Sequence, residues 1–372
     1  MRAVAALILG SCLPCAPLLA GEPRTSTNWS AFEDRATEWM AKYAIPGLSA
    51  AYLKDGSVHA TAVGWSDVEN RVAATPDTSY RGGSMSKVFT ALGIVRLSEA
   101  GKIDLDGEIQ QYVPSYPRKR WPVTVRGLLA HLSGVGGTKP EEKQQRFAHH
   151  ASIDSALAIF ANRPLEHEPG TSFIYSSYGY NLLGSAIEHV TKQSFSDFVK
   201  STFVKPLGLT GTCIDGEPLD GVIQARAYVS LTGEIETAEA LDLSSRIPSG
   251  GMRTSVTDLM KLAQALFDAR IISTDAFESM LRETTLADGS ATGWGMLWRV
   301  FERSGRRVAF HGGTIDGGVT YFAVFPDERA AFAFQFNTLA PLVLGEGRRL
   351  RVRDLLAEPL YEIVLGEATA EP

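Results

Sequence analysis

Arg81-Gly82-Gly83-Ser84-Met85-Ser86-Lys87-Val88-Phe89-Thr90 is the stretch on which the reading of this chain turns. It places Ser84 and Lys87 at S-x-x-K spacing, and a helical pattern of Val88, Leu92, Val95 and Leu97 follows with few breakers. With Ser84 in the first turn of that helix, Lys87 lies one turn further along the same face. A serine hydroxyl is a poor nucleophile until a base takes its proton, and an unprotonated lysine one turn away can be that base. The helix N-terminus adds free N–H groups that can hold an oxyanion, and its positive end disfavours the ammonium form of Lys87. Desolvation pushes the lysine the same way. The spacing alone recurs by chance, and a capping serine beside an exposed lysine would also produce it. The two glycines before Ser84 favour the chemical reading, because they suit a tight strand-to-helix turn and leave space beside the hydroxyl.

Upstream of this stretch, Trp29, Phe32, Ala36, Trp39, Met40 and Tyr43 fall at helical spacing, so 28–43 reads as an amphipathic helix ended by Pro46-Gly47. Leu48–Leu53 and Val58–Val63 read as strands, with Asp55-Gly56 as the hairpin signal between them. Downstream, helices and loops dominate to about residue 285, including Ile153–Ala161, Tyr180–Val190 and Ser255–Phe267, the last opened by Ser255 with Asp258 three residues on. Strands return at Met296–Phe301, Arg307–Phe310, Val319–Phe325 and Ala331–Phe336, and 349–365 reads as a closing amphipathic helix kinked at Pro359. Strands at both ends with helices between predict an α+β fold. An antiparallel sheet flanked by helices is built from the N- and C-terminal segments (about 28–82 and 290–366), and an all-helical lobe (about 83–289) is inserted in it. A cleft between the two is the natural place for a site.

Composition narrows the function classes. The chain of 372 residues is 44% hydrophobic and 21% charged with a net charge of -6, which suits a large globular core, and no basic block suggests nucleic acid. The 7 histidines are scattered and no Cys/His cluster occurs, so no metal and no cofactor is expected. Residues 1–20 read as a secretory signal: Arg2, the apolar run Ala3–Leu9 and small Ala20 at the cleavage end. Residues 21–372 are then a single exported domain, periplasmic or secreted, with no membrane span. Leu9-Gly10-Ser11-Cys12 resembles a lipoprotein box only faintly, because Cys12 comes early for one. After processing only Cys213 remains, so no intrachain disulfide is expected.

Two further constellations carry chemistry. In Gly170-Thr171-Ser172-Phe173-Ile174-Tyr175-Ser176-Ser177-Tyr178-Gly179-Tyr180-Asn181, Tyr175 precedes a helical run and can point into a cleft as a general acid or base. In Phe310-His311-Gly312-Gly313-Thr314, at the end of a predicted strand, the glycines let a ligand approach the backbone. The Thr314 N–H, with that of Ser84, can form an oxyanion hole.

Taken together, these three stretches resemble the serine β-lactamase and penicillin-binding family, which includes class C β-lactamases, D-alanyl-D-alanine carboxypeptidases, esterases and LACTB-type proteins. The order matches: S-x-x-K, a Y-x-N-like motif about 90 residues on, and a K-T-G-like motif on a late strand. Leu128-Leu129-Ala130-His131-Leu132-Ser133-Gly134, Glu168-Pro169-Gly170-Thr171, Pro206-Leu207-Gly208-Leu209 and Ser249-Gly250-Gly251-Met252 look like the family as well. The resemblance implies the β-lactamase/transpeptidase-like fold. It makes Ser84 the acylated nucleophile, Lys87 its base or proton relay, and Tyr175 the shuttle to the leaving group and from the hydrolytic water. Ser177, His311, Gly312, Gly313 and Thr314 then fall at substrate-binding positions.

The pattern departs from the family in two places. Ser177 stands where the family has asparagine, and a hydroxyl reaches less far and offers fewer hydrogen bonds than an amide. His311 and Gly312 stand where the family has a lysine and a hydroxyl residue that help to bind a carboxylate, and a mostly neutral histidine is a poorer anchor. The expectation is therefore a secreted serine hydrolase acting through a Ser84 acyl-enzyme on a small ester, amide or peptide, with esterase or LACTB-like peptidase activity ahead of carboxypeptidase and β-lactamase activity. A non-catalytic binding or scaffold protein on the same fold is the alternative from another class. An α/β-hydrolase would need G-x-S-x-G, which the chain lacks.

Overall fold

The computed structural model describes residues 27–366 apart from 141, 143, 145–146, 231–232, 340–341 and 346–347. The signal segment and its two cysteines lie outside the described residues. The first helix, α1 (Thr27–Lys42), turns Phe32, Ala36 and Met40 inward at the spacing expected. Strands β1 (Gly47–Lys54) and β2 (Ser57–Asp67) follow as a hairpin. Its two turn residues, Asp55 and Gly56, have φ of 50° and 73°, the left-handed pair that matches the twist of the strands. The short β3 (Val72–Ala73) extends the edge, and β4 (Tyr80–Arg81) leads into α2 (Ser86–Glu99).

In the middle of the chain, α3 (Ser177–Thr191) packs on α2, and the short strands β5 (Cys213–Ile214) and β6 (Met252–Thr254) join β4 in a small sheet of order β4-β6-β5. Next comes α4 (Val256–Phe267), capped by Ser255, whose side chain accepts from the Asp258 N–H. Four strands then complete the main sheet: β7 (Arg299–Arg303), β8 (Arg306–Ile315), β9 (Gly318–Phe325) and β10 (Ala330–Phe336). Helix α5 (Val352–Leu365) closes the fold on the α1 side. The strand order is β3-β2-β1-β10-β9-β8-β7. The chain's first hairpin therefore pairs directly with its last strands, Leu48 opposite Phe336 and Leu53 opposite Ala331.

The sheet separates two cores. One face carries small residues (Ala51, Ala331, Ala333) that admit α4 and the helices behind it. The other carries Tyr52, Tyr321, Phe332, Phe334 and Phe336 against α1 and α5. This period-two split is what strands covered on both sides require. Truncating a fully buried ring such as Phe332 to alanine would cost about 3–5 kcal/mol.

Four expectations shift. The inserted lobe is not all-helical: β5 and β6 lie within it and pair with β4, and Tyr228–Val229 pairs with Glu236–Thr237, because short extended segments between its helices find backbone partners. The predicted strand at Met296 starts only at Arg299. Leu297 has φ +83°, and Met296–Trp298 is a buried irregular segment, because its apolar run fills the core without pairing. The closing helix starts at Val352 and not at 349, because Arg348–Arg351 pairs as a strand with Leu342–Gly345. The helix expected over Ile153–Ala161 ends at Leu157. Among the described residues no helix is long and apolar enough to cross a membrane, and no group of three or more acidic, histidine or cysteine side chains could hold a metal ion.

Candidate active site

The turn into α2 builds the site. Gly83 has φ +52°, a left-handed conformation that glycine adopts without strain, and Gly83–Met85 forms one 3-10 turn before α2 begins. This turn is stapled to β6: the Gly82 N–H donates to the Met252 carbonyl at 2.9 Å, and the Met252 N–H donates to Ser86 Oγ at 2.9 Å. It is also pressed against β8. A Cβ on Gly83 would stand 2.9 Å from the Thr314 nitrogen, and one on Gly313 would stand 1.8 Å from the Gly82 oxygen and 3.2 Å from the Ser84 nitrogen. Only glycine at both positions allows the two backbones to meet. Their meeting brings the Ser84 and Thr314 amides to one place, as an oxyanion hole requires.

Lys87 is fully buried in the first turn of α2. Its Nζ lies 3.1 Å from Ser84 Oγ, 3.1 Å from Ser177 Oγ and 2.6 Å from the Ser249 carbonyl, to which it donates. It also sits 5.0 Å from the ring centre of Tyr175 and 5.7 Å from that of Tyr180. Among the described residues no carboxylate offsets its charge. Burial, with a smaller push from the Arg246 charge, pulls its pKa from 10.5 down to about 7.

Tyr175 precedes the Ser176 N-cap of α3. It leaves 37% of its surface exposed, while its hydroxyl end is enclosed. Burial pushes that hydroxyl up to about 12, and an interaction with the Ser84 hydroxyl and the Arg353 charge pull the other way. Tyr175 is therefore a phenol at neutral pH, a proton donor and not a standing phenolate. His131, with φ +62°, fixes this loop from below: its Nδ1 accepts from the Ser176 N–H at 3.1 Å, its carbonyl from the Ile174 N–H, and its ring lies 4.4 Å from that of Tyr175. Burial first, then the Lys87 charge, keep His131 neutral.

His311 lies inside β8 with 1% of its surface exposed, 6.4 Å from the Tyr175 ring and 6.3 Å from Trp294. Burial, then the Lys87 and Arg353 charges, drive its pKa down to about 3. Burial thus holds it as the neutral imidazole. The open cleft beside the cluster spans about 530 Å³, its solvent-open mouth included, and is lined by Ser84, Ser177, Asn181, Arg246, Ser249, Thr314 and Ile315 among others. A second hollow of about 440 Å³, around Tyr116, Phe160 and Glu166, holds none of these side chains.

The structure thus brings together Ser84, Lys87, Tyr175, Ser177, His311, Gly313 and Thr314. Gly312 faces away from the cluster, toward Phe310 and Arg353. Sequence reasoning missed Arg246, Trp294, Arg353, and Ser249 as a partner of Lys87. Ser249 lay in a stretch noticed only for its family likeness, and Arg353 in a helix read only for its apolar face.

This fold and this serine–lysine centre define the serine β-lactamase and penicillin-binding class of hydrolase. A family model described as Beta-lactamase matches residues 32–357, and the chain belongs to that family. "Protein flp" of Staphylococcus aureus (strain MRSA252) is 28% identical over 301 residues, covering 78% of this chain and 59% of that one, so the chain spans about three fifths of that relative's length. "Penicillin-binding protein 4" of Amycolatopsis lactamdurans is 26% identical over 374 residues, covering 91% and 94%. Among solved structures, the octameric penicillin-binding protein homologue from Pyrococcus abyssi superposes with a TM-score of 0.77 at 25% identity, covering 91% of this chain and 78% of that one. The D-amino acid amidase from Ochrobactrum anthropi SV3, in its complex with D-phenylalanine, superposes at 0.76 with 23% identity, covering 92% and 100%, and shares the fold.

Proposed function

We propose that this chain is an exported serine hydrolase that cleaves a small ester, amide or peptide through an acyl-enzyme on Ser84. The observation that carries the reading is the contact of 3.1 Å between Ser84 Oγ and Lys87 Nζ, with the lysine fully buried and its pKa near 7. A large fraction of Lys87 is then the free amine at neutral pH, and its lone pair can take the Ser84 proton as Oγ bonds to the substrate carbonyl carbon. The carbonyl oxygen becomes an oxyanion facing the Ser84 and Thr314 N–H groups. As the bond to the leaving group breaks, Tyr175 gives it a proton and recovers one from Lys87 through Ser84's vicinity. Water then attacks the acyl-enzyme by the reverse route, releasing the acid and restoring the serine.

Esterase or peptidase activity stands ahead of β-lactamase and D-alanyl carboxypeptidase activity, because Ser177 and His311 replace the amide and the cation of the family pattern. Export rests on Arg2, the Ala3–Leu9 run and Ala20.

The test is hydrolysis of a short-chain p-nitrophenyl ester beside a chromogenic cephalosporin by wild type and Ser84→Ala. Ser84-dependent turnover of the ester alone supports the reading. Comparable turnover of the cephalosporin moves the β-lactamase reading ahead. With neither turned over, a serine-reactive covalent probe decides: labelling that Ser84→Ala abolishes keeps the enzyme, and no labelling of the wild type leaves a scaffold.

A further inference from the structure

The cleft beside Ser84 and the second hollow share a wall. Phe160 lines the hollow and Tyr178 lines the cleft, and their rings stack with centres 4.3 Å apart at 14°. Both residues are buried, so the pair is a partition two rings thick. The chain around it divides in the same way: Ile159 lines the cleft and Phe160 the hollow, Thr138 the cleft and Gly136 the hollow. The hollow spans about 440 Å³, its solvent-open part included, and Tyr116, Val135, Phe160 and Leu165 give it apolar walls beside three charged side chains.

Polar contacts hold this partition in place. The Tyr178 hydroxyl donates to Glu142 Oε2 at 2.8 Å, and Glu142 pairs with Arg163, whose guanidinium carbon lies 5.3 Å from the Tyr178 ring centre. Lys119 Nζ donates to the carbonyls of Ala161 and Arg163, which pins the turn that carries Phe160. Tyr178 follows Ser177 directly in the first turn of α3, so the wall begins one residue from the hydroxyl that contacts Lys87. It stands on the acyl side of the reaction. The oxygen of a substrate carbonyl faces the Ser84 and Thr314 amides, and the leaving group faces Tyr175, its proton donor on the proposed mechanism. The acyl group takes the remaining side, and the cleft lined by Ser84, Ser177, Tyr178 and Ile159, but not by Tyr175, lies there.

We propose that the Phe160–Tyr178 stack is the stop that sets the length of the acyl group this chain accepts. The proposal rests on the acyl-enzyme reading and adds an acyl class to it: esters or amides of short-chain acids, whose chain ends at the Tyr178 ring. A longer chain meets two stacked rings that are packed and tied in position, and a close-packed wall does not yield to extra methylenes without strain. Apolar space nevertheless lies directly behind those rings. Removing them joins two existing spaces, so the stop and not the size of the molecule's cavities limits the acyl chain.

The test is the ratio of kcat/KM for p-nitrophenyl octanoate to that for p-nitrophenyl butyrate, which cancels any general loss of activity or of folded protein. Wild type should favour butyrate by about 10-fold or more. Tyr178→Ala with Phe160→Ala should raise the octanoate-to-butyrate ratio by about 10- to 100-fold, the worth of burying most of four further methylenes. Tyr178→Leu with Phe160→Leu, which keeps more of the packing, should move it the same way by less. Leu165→Trp, which fills the hollow, should take back the gain of the double alanine variant and leave the wild-type ratio unchanged. A wild type that accepts octanoate as readily as butyrate overturns the proposal while Ser84-dependent turnover stands. So does a ratio that both double variants leave in place, or a gain that Leu165→Trp does not reverse. If no ester is turned over, the acyl-enzyme reading fails by itself, and calorimetry with octanamide on Ser84→Ala decides the stop. Binding gained when Tyr178→Ala and Phe160→Ala are added supports it; no gain overturns it.

Discussion

Ser177 Oγ stands 3.1 Å from Lys87 Nζ, as close as the Ser84 hydroxyl on the lysine's other side. A neutral amine has two N–H donors and one lone pair. The Ser249 carbonyl, which can only accept, takes one N–H at 2.6 Å. Ser177 can take the second, which leaves the lone pair for the Ser84 proton. Ser177→Ala should therefore lower kcat/KM by about 10- to 100-fold, the cost of one buried hydrogen bond to the base. Ser177→Asn should keep the hold on Lys87 and raise amide and β-lactam turnover relative to ester turnover, because an amide also offers a donor and an acceptor to the substrate. An unchanged amide-to-ester ratio in Ser177→Asn would remove this account of the departure.

On the proposed mechanism Ser84 and Lys87 act as one unit, so their losses should not add. Ser84→Ala should cost on the order of 10⁴-fold or more in kcat, Lys87→Ala nearly as much, and the double variant little beyond either. Stopped-assay rates for the three variants check this. A Ser84→Ala protein that keeps a tenth of the activity would take Ser84 out of the mechanism.

The pH dependence has a definite sign. The base must be unprotonated, so kcat/KM should rise with pH through about 7, where burial and Arg246 place Lys87. Tyr175, pushed up to about 12, keeps its proton across the usual range, so the plateau should extend past pH 9 without an alkaline fall from that group. Arg246→Gln removes the cationic neighbour and should move the rising limb to higher pH. A limb that Arg246→Gln leaves in place would assign it to another group.

The fold was legible in the sequence because its strands sit at the two ends of the chain and carry clear signals: Asp55-Gly56 at the first turn, and the near-continuous apolar runs at 319–325 and 331–336. The Ser84–Lys87 contact of the candidate site was legible because the two are three residues apart, so local geometry alone sets it. What could not be read depends on distant chain segments. Ser249 meets Lys87 across 162 residues, and Arg353 meets Thr314 across 39. Neither carries a local pattern, and Arg353 lay in a helix whose apolar stripe explained it too easily. The apolar run at Met296–Trp298 misled for a related reason: it is buried against Leu129 in an irregular turn, and burial alone does not distinguish a strand from a packed loop.

The depressed lysine also has a consequence for stability. Lys87 titrates near 7 when folded and near 10.5 when unfolded. Below about pH 7 both states bind its proton, and the folded state carries the full cost of a buried ammonium. Between 7 and 10.5 the unfolded state still binds that proton and the folded state does not, so wild-type stability should rise with pH across this window, by about 1.4 kcal/mol per unit. Lys87→Met keeps the length of the side chain and has nothing to titrate. Other groups contribute alike to both proteins, so the difference in unfolding free energy isolates Lys87. It should shift in favour of wild type by about 2–3 kcal/mol between pH 7.5 and 9.5. Urea unfolding of both proteins at the two pH values measures it. A difference that stays flat across the window would mean that Lys87 keeps an ordinary pKa, and the lysine would then be charged and unable to act as the base at neutral pH.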